Sequence, residues 1–390
     1  MVTILYFQSK SKQNRSEKLK GVQNIAAKYG WLLQVVEGIP CVKSLATLLD
    51  FWKPAGAIVE CGGTQTAINP NVFGSLPVVF FDHDPSCLPQ KTFCVTHDSA
   101  ATAKMAAEEL LRSGIKSFAY VPFHEPRFWS EERGRAFSSI ISINGYRCLH
   151  FNGCRTNSDP TRYQRELRTF LSTIPKPCAL FAANDATAAE IITAASISKI
   201  KIPEELAIIS VDDVQEICEH TIPTLTSVRP DFRRGGELAA ILLSEQINGK
   251  PSAVESRKLT FGPLAVIRRS STLRLPNFDP AVAEALEVIR KNACLGLSSR
   301  EVLKCFVCSR RQAELRFRKA TGKSILEEIH DVQLERAKQL LKEDSMPIKS
   351  IANFCGFENP NSLAKFFKAK TGLTMTAWRC PQNFVRNNCD

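Results

Sequence analysis

SRRQAELRFRKATG (residues 309–322) and NPNSLAKFFKAKTG (residues 359–372) repeat one pattern at a constant offset, 367 − 317 = 50 residues, which superimposes their central phenylalanines. Each copy begins with a residue type that caps a helix N-terminus and ends with a glycine, which often follows a helix C-terminus. Each copy also follows a shorter helical stretch, at 298–306 and 347–355, across a tight connection. The repeat predicts two helix-turn-helix units.

A helix predicted over residues 325–341 joins these two units. At about 1.5 Å per residue it is about 25 Å long. Its apolar positions, which fall on one side at about 100° per residue, are Ile325, Leu326, Ile329, Val332, Ala337 and Leu340. This stripe can pack against both units. With the width of each unit added to the length of this helix, the distance between the two recognition helices approaches one duplex turn of roughly 34 Å. Both recognition helices can therefore enter successive major grooves.

Helix start signals are well marked in this region. A capping side chain is followed either by proline or by a reciprocal partner three residues on. These signals are Asp279-Pro280, Ser298 with Glu301, Ser309 with Gln312, and Asn359-Pro360.

The chain from residue 1 to about 268 alternates short apolar runs with helical stretches, which predicts βαβ units around two parallel sheets. The predicted strands are Val2–Phe7, Leu32–Glu37, Gly56–Glu60, Pro77–Phe81, Ser117–Val121, Tyr146–Phe151, Ala179–Ala182 and Leu206–Val211. The predicted helices are Ser16–Tyr29, Val42–Trp52, Ser99–Ser113, Trp129–Ile143, Thr161–Ser172 and Ala186–Ala195.

The length of 390 residues predicts two to three domains at roughly 150 residues each. Around residues 268–276 the alternation stops, and polar residues with a proline suggest a linker. We therefore predict an α/β effector domain over residues 1–270, a linker over 271–278, and an all-α domain over 279–390.

Charge is concentrated at the end of the chain. The net charge is 51 − 39 = +12. Residues 271–390 hold 20 Lys/Arg and 13 Asp/Glu, which gives 20 − 13 = +7 in fewer than a third of the residues. A basic end favours polyanionic partners such as DNA, although a solvated helix face would show the same charge.

Cysteines and apolar runs point to a cytoplasmic protein. No stretch approaches the 18 apolar residues of a membrane span, and no basic leader precedes a hydrophobic segment at the start. The 14 cysteines are then expected to stay reduced. Cys305 and Cys308 have metal spacing, but Cys294 and His330 are the nearest candidates to complete a zinc site, so we predict no metal.

The last 100 residues or so resemble the AraC family DNA-binding domain. The motifs that carry the resemblance are Ser309-x-x-x-Ala-x-x-Arg-Phe317, Thr321-Gly322, Leu334-x-x-Ala337-x-x-Leu340-Leu341, Ile348-x-x-Ile351-Ala352-x-x-x-Gly356-Phe357 and Phe366-Phe367-Lys368-x-x-x-Gly372.

The first domain resembles the effector domain of LacI/GalR repressors, which has a type I periplasmic-binding-protein fold with two lobes. The motifs are Phe181-Ala-Ala-Asn184-Asp185, Ile202-Pro203-Glu-Glu-Leu-Ala-Ile-Ile-Ser-Val-Asp212-Asp213 and Ile222-Pro-Thr-Leu-Thr226. An effector domain of this kind in front of an AraC-type end is the layout of the xylose regulator family, and the resemblance extends over nearly the whole chain.

This resemblance implies a sugar site in the cleft between two lobes, at Trp129, Arg133, Asn184 and Asp212. A sugar presents hydroxyls and an apolar ring face, which suits planar polar side chains beside an aromatic ring. Each residue has an alternative structural role. Trp129 can be a core residue, Arg133 can pair with Glu131 or Glu132, and Asn184 and Asp212 can cap helices.

The same resemblance implies the residues that contact DNA. Base-reading positions are Arg311, Glu314, Leu315, Pro360, Asn361, Ala364 and Lys365. Arginine suits guanine, asparagine suits adenine and glutamate suits cytosine, whereas Leu315, Pro360 and Ala364 offer only apolar contact. Side chains expected at phosphates or in the core are Arg310, Arg316, Arg318 and Lys368.

We therefore predict a sugar-responsive transcription factor, an activator of a pentose utilisation operon with xylose as the expected effector. Its expected partners are double-stranded DNA, the sugar, a second copy of the chain and RNA polymerase, with no membrane and no cofactor. The alternative is a cytosolic sugar receptor with no role at DNA. An enzyme is not expected, because the chain has no HExxH, Gly-x-Ser-x-Gly, P-loop or dinucleotide-binding motif.

Overall fold

The computed structural model describes residues 2–9, 15–38, 41–61, 70–88, 92–153, 160–248, 258–273, 279–342 and 346–379. The chain divides into two compact units, Met1–Leu273 and Arg274–Asp390. The first unit is α/β and the second is helical.

Two six-stranded sheets form the first unit. In chain order the strands are β1 Val2–Gln8, β2 Trp31–Glu37, β3 Gly56–Glu60, β4 Val78–Phe81, β5 Phe93–His97, β6 Ser117–Val121, β7 Cys148–His150, β8 Cys178–Ala182, β9 Leu206–Val211, β10 Thr226–Pro230, β11 Lys258–Phe261 and β12 Pro263–Ile267. The first sheet, in lobe 1, has the order β11-β5-β4-β3-β1-β2, and the second, in lobe 2, has the order β12-β10-β9-β8-β6-β7. Strand pairs are parallel except that β12 runs antiparallel to β10.

Helices cover both faces of each sheet, which explains why central strands such as β3 are buried along their whole length. The helices of the first unit are α1 Arg15–Tyr29, α2 Val42–Trp52, α3 Ser99–Leu111, α4 Phe128–Ile143, α5 Pro160–Thr173, α6 Asp185–Ile197, α7 Gln215–Cys218 and α8 Phe232–Ile247. In lobe 1, α1 and α8 share a core on one face of the sheet and α2 packs on the other. In lobe 2, α3 and α4 cover one face and α5 and α6 the other.

The chain crosses between the lobes after β5, returns through α8 and β11, and crosses again into β12. Ligands of open α/β sheets bind beyond the carboxyl ends of parallel strands. The ends of β3, β4 and β5 in lobe 1 and of β6, β8 and β9 in lobe 2 therefore define the cleft that is described below.

The predicted architecture is confirmed, and every predicted strand and helix of this unit is present with small changes at its ends. The elements that the sequence analysis did not predict are β5, β10, β11, β12, α7 and α8. Two of these, β11 and β12, are edge strands, and α8 covers the lobe 1 sheet, whereas β5 and β10 lie inside their sheets.

Two glycines let α1 and α8 approach each other closely. A Cβ on Gly21 would lie 2.1 Å from the backbone oxygen of Arg233, and a Cβ on Gly236 would lie 2.1 Å from that of Lys18. Both distances are far below a van der Waals contact, so any larger residue at either position would push the helices apart.

The predicted linker region begins inside the first unit. Ser270–Thr272 form a 3₁₀ turn, and the Ser271 hydroxyl donates a hydrogen bond of 2.6 Å to the backbone oxygen of Ile208. Ser271 is fully buried, so residues 271–273 are packed against lobe 2 and do not form a free linker. The linker beyond Leu273 stays a prediction, because residues 274–278 lie outside the described residues.

Helices make up the described part of the second unit. They are α9 Pro280–Asn292, α10 Ser299–Val302, α11 Arg310–Thr321, α12 Ile325–Lys342, α13 Ile348–Phe354, α14 Pro360–Thr371 and α15 Met375–Arg379. The four helix starts were correctly predicted, but the reciprocal bond from Gln312 to the Ser309 backbone is not formed. Asp279, Ser309 and Asn359 cap their helices, and Ser298 and Glu301 form a capping box.

The internal repeat has a structural counterpart in two cores. Phe317 of α11 and Phe367 of α14 are both fully buried, each in the core of its own helix-turn-helix unit. Helix α12 contributes to both cores, with Ile325 and Ile329 in the first and Ala337 in the second. This confirms the predicted joining role of the helix.

One member of the predicted stripe on α12 is wrong. Leu326 is 51% exposed, whereas Gln333 and Leu334 are buried. The stripe shifts around the helix between its two halves, because α12 presents one face to the first unit and a rotated face to the second. No helix among the described residues is both long and apolar enough to cross a membrane.

Candidate ligand cleft and nucleic-acid interface

Arg133 lies on α4, which follows β6 into the cleft, and only 4% of it is exposed. Its Nη1 donates to the backbone oxygen of Ala183 at 2.5 Å, and its Nη2 donates to His97 Nδ1 at 2.9 Å. Its Nε is buried and has no hydrogen-bond partner among the described residues. The alternative of a surface pair with Glu131 or Glu132 is therefore wrong, and one buried donor is left over.

The Trp129 ring covers this guanidinium, with Arg133 Cζ 4.8 Å from the ring centroid. Such stacking orients an arginine and leaves its edge open to hydrogen bonding. The ring is partly buried against the lobe 2 core and lies 5.4 Å from the Phe123 ring. Trp129 therefore combines the core role with the position expected for a ligand residue.

Asp212 follows β9 with a backbone φ of 111°, in a region that side chains rarely adopt. Its carboxylate has no hydrogen-bond donor among the described residues, so it does not cap a helix. Burial raises the pKa of Asp212 above its usual value, and the positive charge of Arg133 opposes this rise. A strained turn thus presents an unsatisfied acceptor close to Arg133.

Asn184 caps α6, as the alternative reading proposed. Its Oδ1 accepts hydrogen bonds from the backbone and the hydroxyl of Thr187, at 3.0 and 2.8 Å. The capping fixes the amide group at the carboxyl end of β8, with Nδ2 the donor that the cap does not use. The cap therefore positions Asn184 at the cleft and is compatible with a contact to a ligand.

Lobe 1 contributes charged residues that the sequence analysis missed. The Lys18 ammonium of α1 donates to Glu60 Oε1 at 3.0 Å and to Asp82 Oδ2 at 2.5 Å, and Glu60 also accepts from the Tyr6 hydroxyl at 3.0 Å. Burial would lower the pKa of Lys18, but the two carboxylates raise it above its usual value. Glu60 and Asp82 end the buried strand β3 and follow β4, and that placement was the available signal in the sequence.

His97, at the end of β5, bridges the two lobes. Because an arginine only donates, Nδ1 accepts from Arg133 and Nε2 carries the proton, which points to the Thr102 hydroxyl at 2.8 Å. Burial and the charge of Arg133 lower the pKa of His97 well below its usual value, so the ring is neutral. The ring also stacks on Phe261 at 5.2 Å. His97 therefore holds Arg133 in place from the opposite lobe.

A buried carboxylate supports the Asp212 turn from beneath. Asp185 Oδ1 accepts from the hydroxyls of Ser210 and Ser227, at 2.5 and 2.7 Å, and Oδ2 accepts from the Val214 amide at 2.7 Å. Burial raises the pKa of Asp185, although these hydrogen bonds oppose the rise. The network ties β9, β10 and α6 together at the carboxyl edge of the sheet.

In the second unit, α11 and α14 expose the positions expected to contact DNA. Arg310, Arg311, Leu315, Arg318, Asn361, Lys365 and Lys368 are exposed, and Glu314 is partly buried. Helix α11 begins with two arginines, whereas α14 begins with Pro360 and Asn361. Free side chains along the solvent face of a recognition helix are what base and phosphate contacts require.

Arg316 forms an ion pair within the helical unit. Its Nε and Nη2 donate to the two carboxylate oxygens of Asp279, at 2.7 and 2.6 Å, and its guanidinium lies 5.5 Å from the Phe306 ring. This fork joins α11 to the start of α9, and the Arg316 side chain is 43% exposed, so the predicted core position is wrong and a phosphate contact stays a prediction. Arg318 has a weaker partner, with its Nη2 3.9 Å from Glu327.

Within the described ranges, no group of three or more His, Cys, Asp or Glu side chains could hold a metal ion. Cys308 instead accepts from Arg316 Nη1 at 3.7 Å, beside the Asp279 fork.

The chain matches two family models. A periplasmic binding protein-like domain matches residues 107–272, and a helix-turn-helix domain matches residues 302–380. A binding-protein fold joined to a helix-turn-helix domain defines a class of transcriptional regulators, and this chain is one of them.

The relatives place it more narrowly. The xylose operon regulatory protein of Haemophilus influenzae is 30% identical over 288 residues, which cover 73% of this chain and 74% of that protein. The chain belongs to the family of xylose operon regulatory proteins. The helix-turn-helix transcriptional activator RhaR of Escherichia coli is 29% identical over 134 residues, which cover 33% of this chain and 48% of that protein. These relatives are regulators, so the prediction of a protein that is not an enzyme is confirmed.

A solved structure of the xylose-binding transcription activator xylR has the same fold. It aligns with a TM-score of 0.60 and 24% identity, and the alignment covers 97% of each chain. A cellobiose complex of the transcriptional regulator CelR aligns with a TM-score of 0.57 and 18% identity over 69% of this chain and 84% of that one.

Proposed function

We propose that this regulator binds an uncharged pentose, with D-xylose as the first candidate, between the lobes of its α/β unit and activates transcription in response. The observation that carries the proposal is an unused donor, Arg133 Nε beneath the Trp129 ring, near an unused acceptor, the Asp212 carboxylate, whose pKa burial raises and the charge of Arg133 lowers. A sugar hydroxyl both donates and accepts, so one hydroxyl group or two neighbouring ones satisfy both. A buried polar atom without a partner is costly, so binding is favoured.

The charges of the cleft argue for a neutral ligand. Glu60, Asp82 and Asp212 are acidic, Lys18 and Arg133 are basic, and His97 is neutral. Both basic groups already have partners, since Lys18 binds two carboxylates and Arg133 binds Ala183 and His97. A sugar phosphate would place two further negative charges beside Glu60, Asp82 and Asp212, and of the two described cations only the Arg133 guanidinium, whose partners are neutral, could receive them. An aldose or another polyol meets no such penalty.

The helical unit would then act on DNA through α11 and α14. Arg311 and Asn361 are the proposed base-reading residues, and Arg310 and Lys368 the proposed phosphate contacts. The names of the relatives, a xylose operon regulatory protein and a xylose-binding transcription activator, support this proposal. The proposal also includes assembly into a homodimer, contact with RNA polymerase and a cytoplasmic location.

Titration calorimetry tests the ligand. We expect D-xylose to bind the full-length protein and D-xylose 5-phosphate to bind at least tenfold more weakly. The Arg133→Met variant should lose about tenfold to a hundredfold in affinity, which corresponds to roughly 1.5–3 kcal/mol for hydrogen bonds to a charged group. Arg135→Met is the matched control, because Arg135 is exposed on the same helix. Equal binding by the phosphate, or no response to any pentose, refutes the sugar proposal.

The alternative of a receptor without a role at DNA is disfavoured by the helix-turn-helix match over residues 302–380. The DNA proposal has its own test. The full-length protein should select a preferred duplex from a random-sequence library, and its affinity should fall steeply as salt is raised. Equal retention of all sequences would contradict it.

A further inference from the structure

The turn at Asp212 and Asp213 connects the cleft to the interior of lobe 2. Both residues have positive φ, 111° and 52°. The Asp212 amide donates to the Val228 oxygen at 3.0 Å, and the Asp213 amide donates to the Ser227 hydroxyl at 3.0 Å. Neighbouring strand β10 thus holds a backbone conformation that neither residue favours. A ligand residue and a buried residue therefore share one strained turn.

The Asp213 carboxylate is 1% exposed and binds two arginines. Oδ1 accepts from Arg269 Nη1 at 2.7 Å, and Oδ2 accepts from Arg229 Nε at 2.7 Å. Hydrogen bonds between charged groups are short, strong and directional. A change in the direction of the Asp213 side chain must therefore be followed by Arg269 or break its bond.

Arg269 anchors the last segment of the first unit. It is 3% exposed, and its Nη1 also donates to the Leu225 oxygen at 2.9 Å. Its backbone amide donates to the Thr226 hydroxyl at 2.8 Å, and the buried Ser271 follows two residues later. The first unit ends at Leu273, so Arg269 fixes the chain just before it leaves for the helix-turn-helix unit.

Fixing the end of the first unit would not by itself require a buried ion pair between Asp213 and Arg269. Burying ionic groups carries a desolvation cost, and an apolar side chain fixes a segment without it. The adjacent Arg268 makes an exposed pair with Glu109, at 2.6 and 2.7 Å, as surface anchors commonly do. Arg269 differs because its partner is covalently next to Asp212, whose carboxylate has no donor among the described residues.

We propose that Asp213 and Arg269 form a relay that couples ligand occupancy at Asp212 to the segment leading into the DNA-binding unit. Arg269 is a positioning residue in this relay and does not touch the ligand. A hydroxyl that binds Asp212 stabilises one arrangement of the turn over another, and Asp213 transmits this preference to Arg269. Such differential stabilisation is the requirement for allosteric coupling. The relay rests on the proposed function, because it assigns a regulatory route to the same site.

The test uses full-length Arg269→Gln, which keeps a hydrogen-bond donor and loses the charge, while Arg229 still compensates Asp213. The D-xylose affinity is measured by calorimetry, and the affinity for the library-selected duplex is measured with and without D-xylose. We expect D-xylose affinity within threefold of the parent, whereas the ratio of DNA affinities with and without sugar falls to near one. Arg268→Gln is the matched control and should keep the parent ratio.

A parent-like ratio in Arg269→Gln overturns the relay. A proportional loss of sugar binding, DNA binding and melting temperature also overturns it, since that pattern indicates a purely structural role. If Arg269→Gln does not fold, Arg269→Lys replaces it, because lysine keeps the charge but not the rigid planar guanidinium whose Nη1 donates to both Asp213 and Leu225.

A second readout separates this proposal from the proposed function. Amide hydrogen exchange at Ser271 is measured without sugar in the parent, Asp212→Ala, Arg269→Gln and the double variant. The relay predicts that Asp212→Ala changes protection at Ser271 and that this change disappears in the Arg269→Gln background. Additive effects overturn the relay even where the parent responds to D-xylose. A non-additive effect in a protein that binds no pentose supports the relay and refutes only the proposal that the ligand is a pentose.

Discussion

Replacing Asp212 by asparagine should stabilise the protein and weaken its ligand binding. The substitution keeps the shape of the side chain and removes a charge that burial disfavours. Burial raises the pKa of Asp212 to about 7 from its usual 3.8, against the opposing charges of Arg133 and Lys18 and with the reinforcing charges of Asp185 and Asp82. Opposite effects on stability and affinity distinguish a ligand residue from a structural one.

The expected magnitude follows from the linkage between protonation and folding. Each pH unit between the two pKa values corresponds to about 1.4 kcal/mol, which sets a ceiling of about 4 kcal/mol. Asp212 is partly exposed, so solvent screening reduces the expected gain to about 1–2 kcal/mol. At about 2–4 °C per kcal/mol, the melting temperature at pH 8 should rise by several degrees.

The sign of the pH dependence is fixed by the raised pKa. Well below pH 3.8, Asp212 is protonated in both the folded and unfolded states, so parent and Asp212→Asn should have equal stability there. As pH rises from 4 to 7, the unfolded carboxyl ionises while the folded one still holds its proton, and the parent loses stability relative to the variant. Above pH 7 the difference in free energy of unfolding between parent and variant should stay constant.

The assay is thermal unfolding of both proteins from pH 4 to 8, paired with D-xylose calorimetry at pH 6 and 8. D-xylose should bind the parent more weakly at pH 6, because a protonated Asp212 loses acceptor capacity, and the pH effect should vanish in Asp212→Asn. Asp98→Asn is unsuitable as a control, because Asp98 caps α3. Glu131→Gln on the exposed face of α4 serves instead. A variant that is less stable than the parent at pH 8, with a flat difference across pH, refutes the reasoning.

Three further predictions concern the helical unit. Phe317→Ala empties a fully buried position of the first core and should cost about 3–5 kcal/mol in chemical denaturation; an unchanged midpoint would show that this core does not support the unit. Arg311→Ala should weaken binding of the selected duplex about tenfold to a hundredfold in mobility-shift titrations while random duplex is unaffected, and a parallel loss on both would make it a phosphate contact. Lys368→Ala should weaken both duplexes alike and reduce the slope of log affinity against log salt by about 1, so an unchanged slope would remove it from the interface.

Local sequence patterns predicted the βαβ series because apolar runs and turns alternate there. The strand Gly56–Glu60 was predicted with both ends correct, since its apolar run is bounded by Pro54 on one side and the Gly62-Gly63 pair on the other. Strand β10 was missed because it buries Thr226 and Ser227, whose hydroxyls bond to Arg269 and Asp185 and not to water. A polar strand of this kind has no apolar signal.

Helix α8 was missed for a different reason. Its Gly235-Gly236 pair lowers helix propensity, and the compensating gain is close packing against α1, a tertiary contact that no local window contains. The apolar stripe predicted on α12 was wrong at Leu326 for a similar reason. The two helix-turn-helix units that pack on α12 decide which of its faces is buried, and these are also tertiary contacts.

The candidate site was only half predictable. Arg133 and Asp212 emerged from family motifs, and Arg133 proved to be buried in the cleft. Lys18, Glu60 and His97 come from three separate elements of lobe 1, and only the three-dimensional meeting of those elements gives them a common role. The capping role of Asn184 was readable from its position before α6, but its nearness to the cleft was not.

The first residues of α11 and α14 differ, and this difference bears on the DNA sequence that the protein is expected to bind. Both helices derive from one duplicated pattern, yet one opens with two guanidinium groups and the other with an imino ring and a carboxamide. If Arg311 and Asn361 read bases as proposed, one copy of the chain should accordingly read a tandem site whose two parts differ in base composition, the first richer in guanine and the second in adenine. Exchanging the two parts, or replacing either with a copy of the other, should weaken the promoter as much as deleting one.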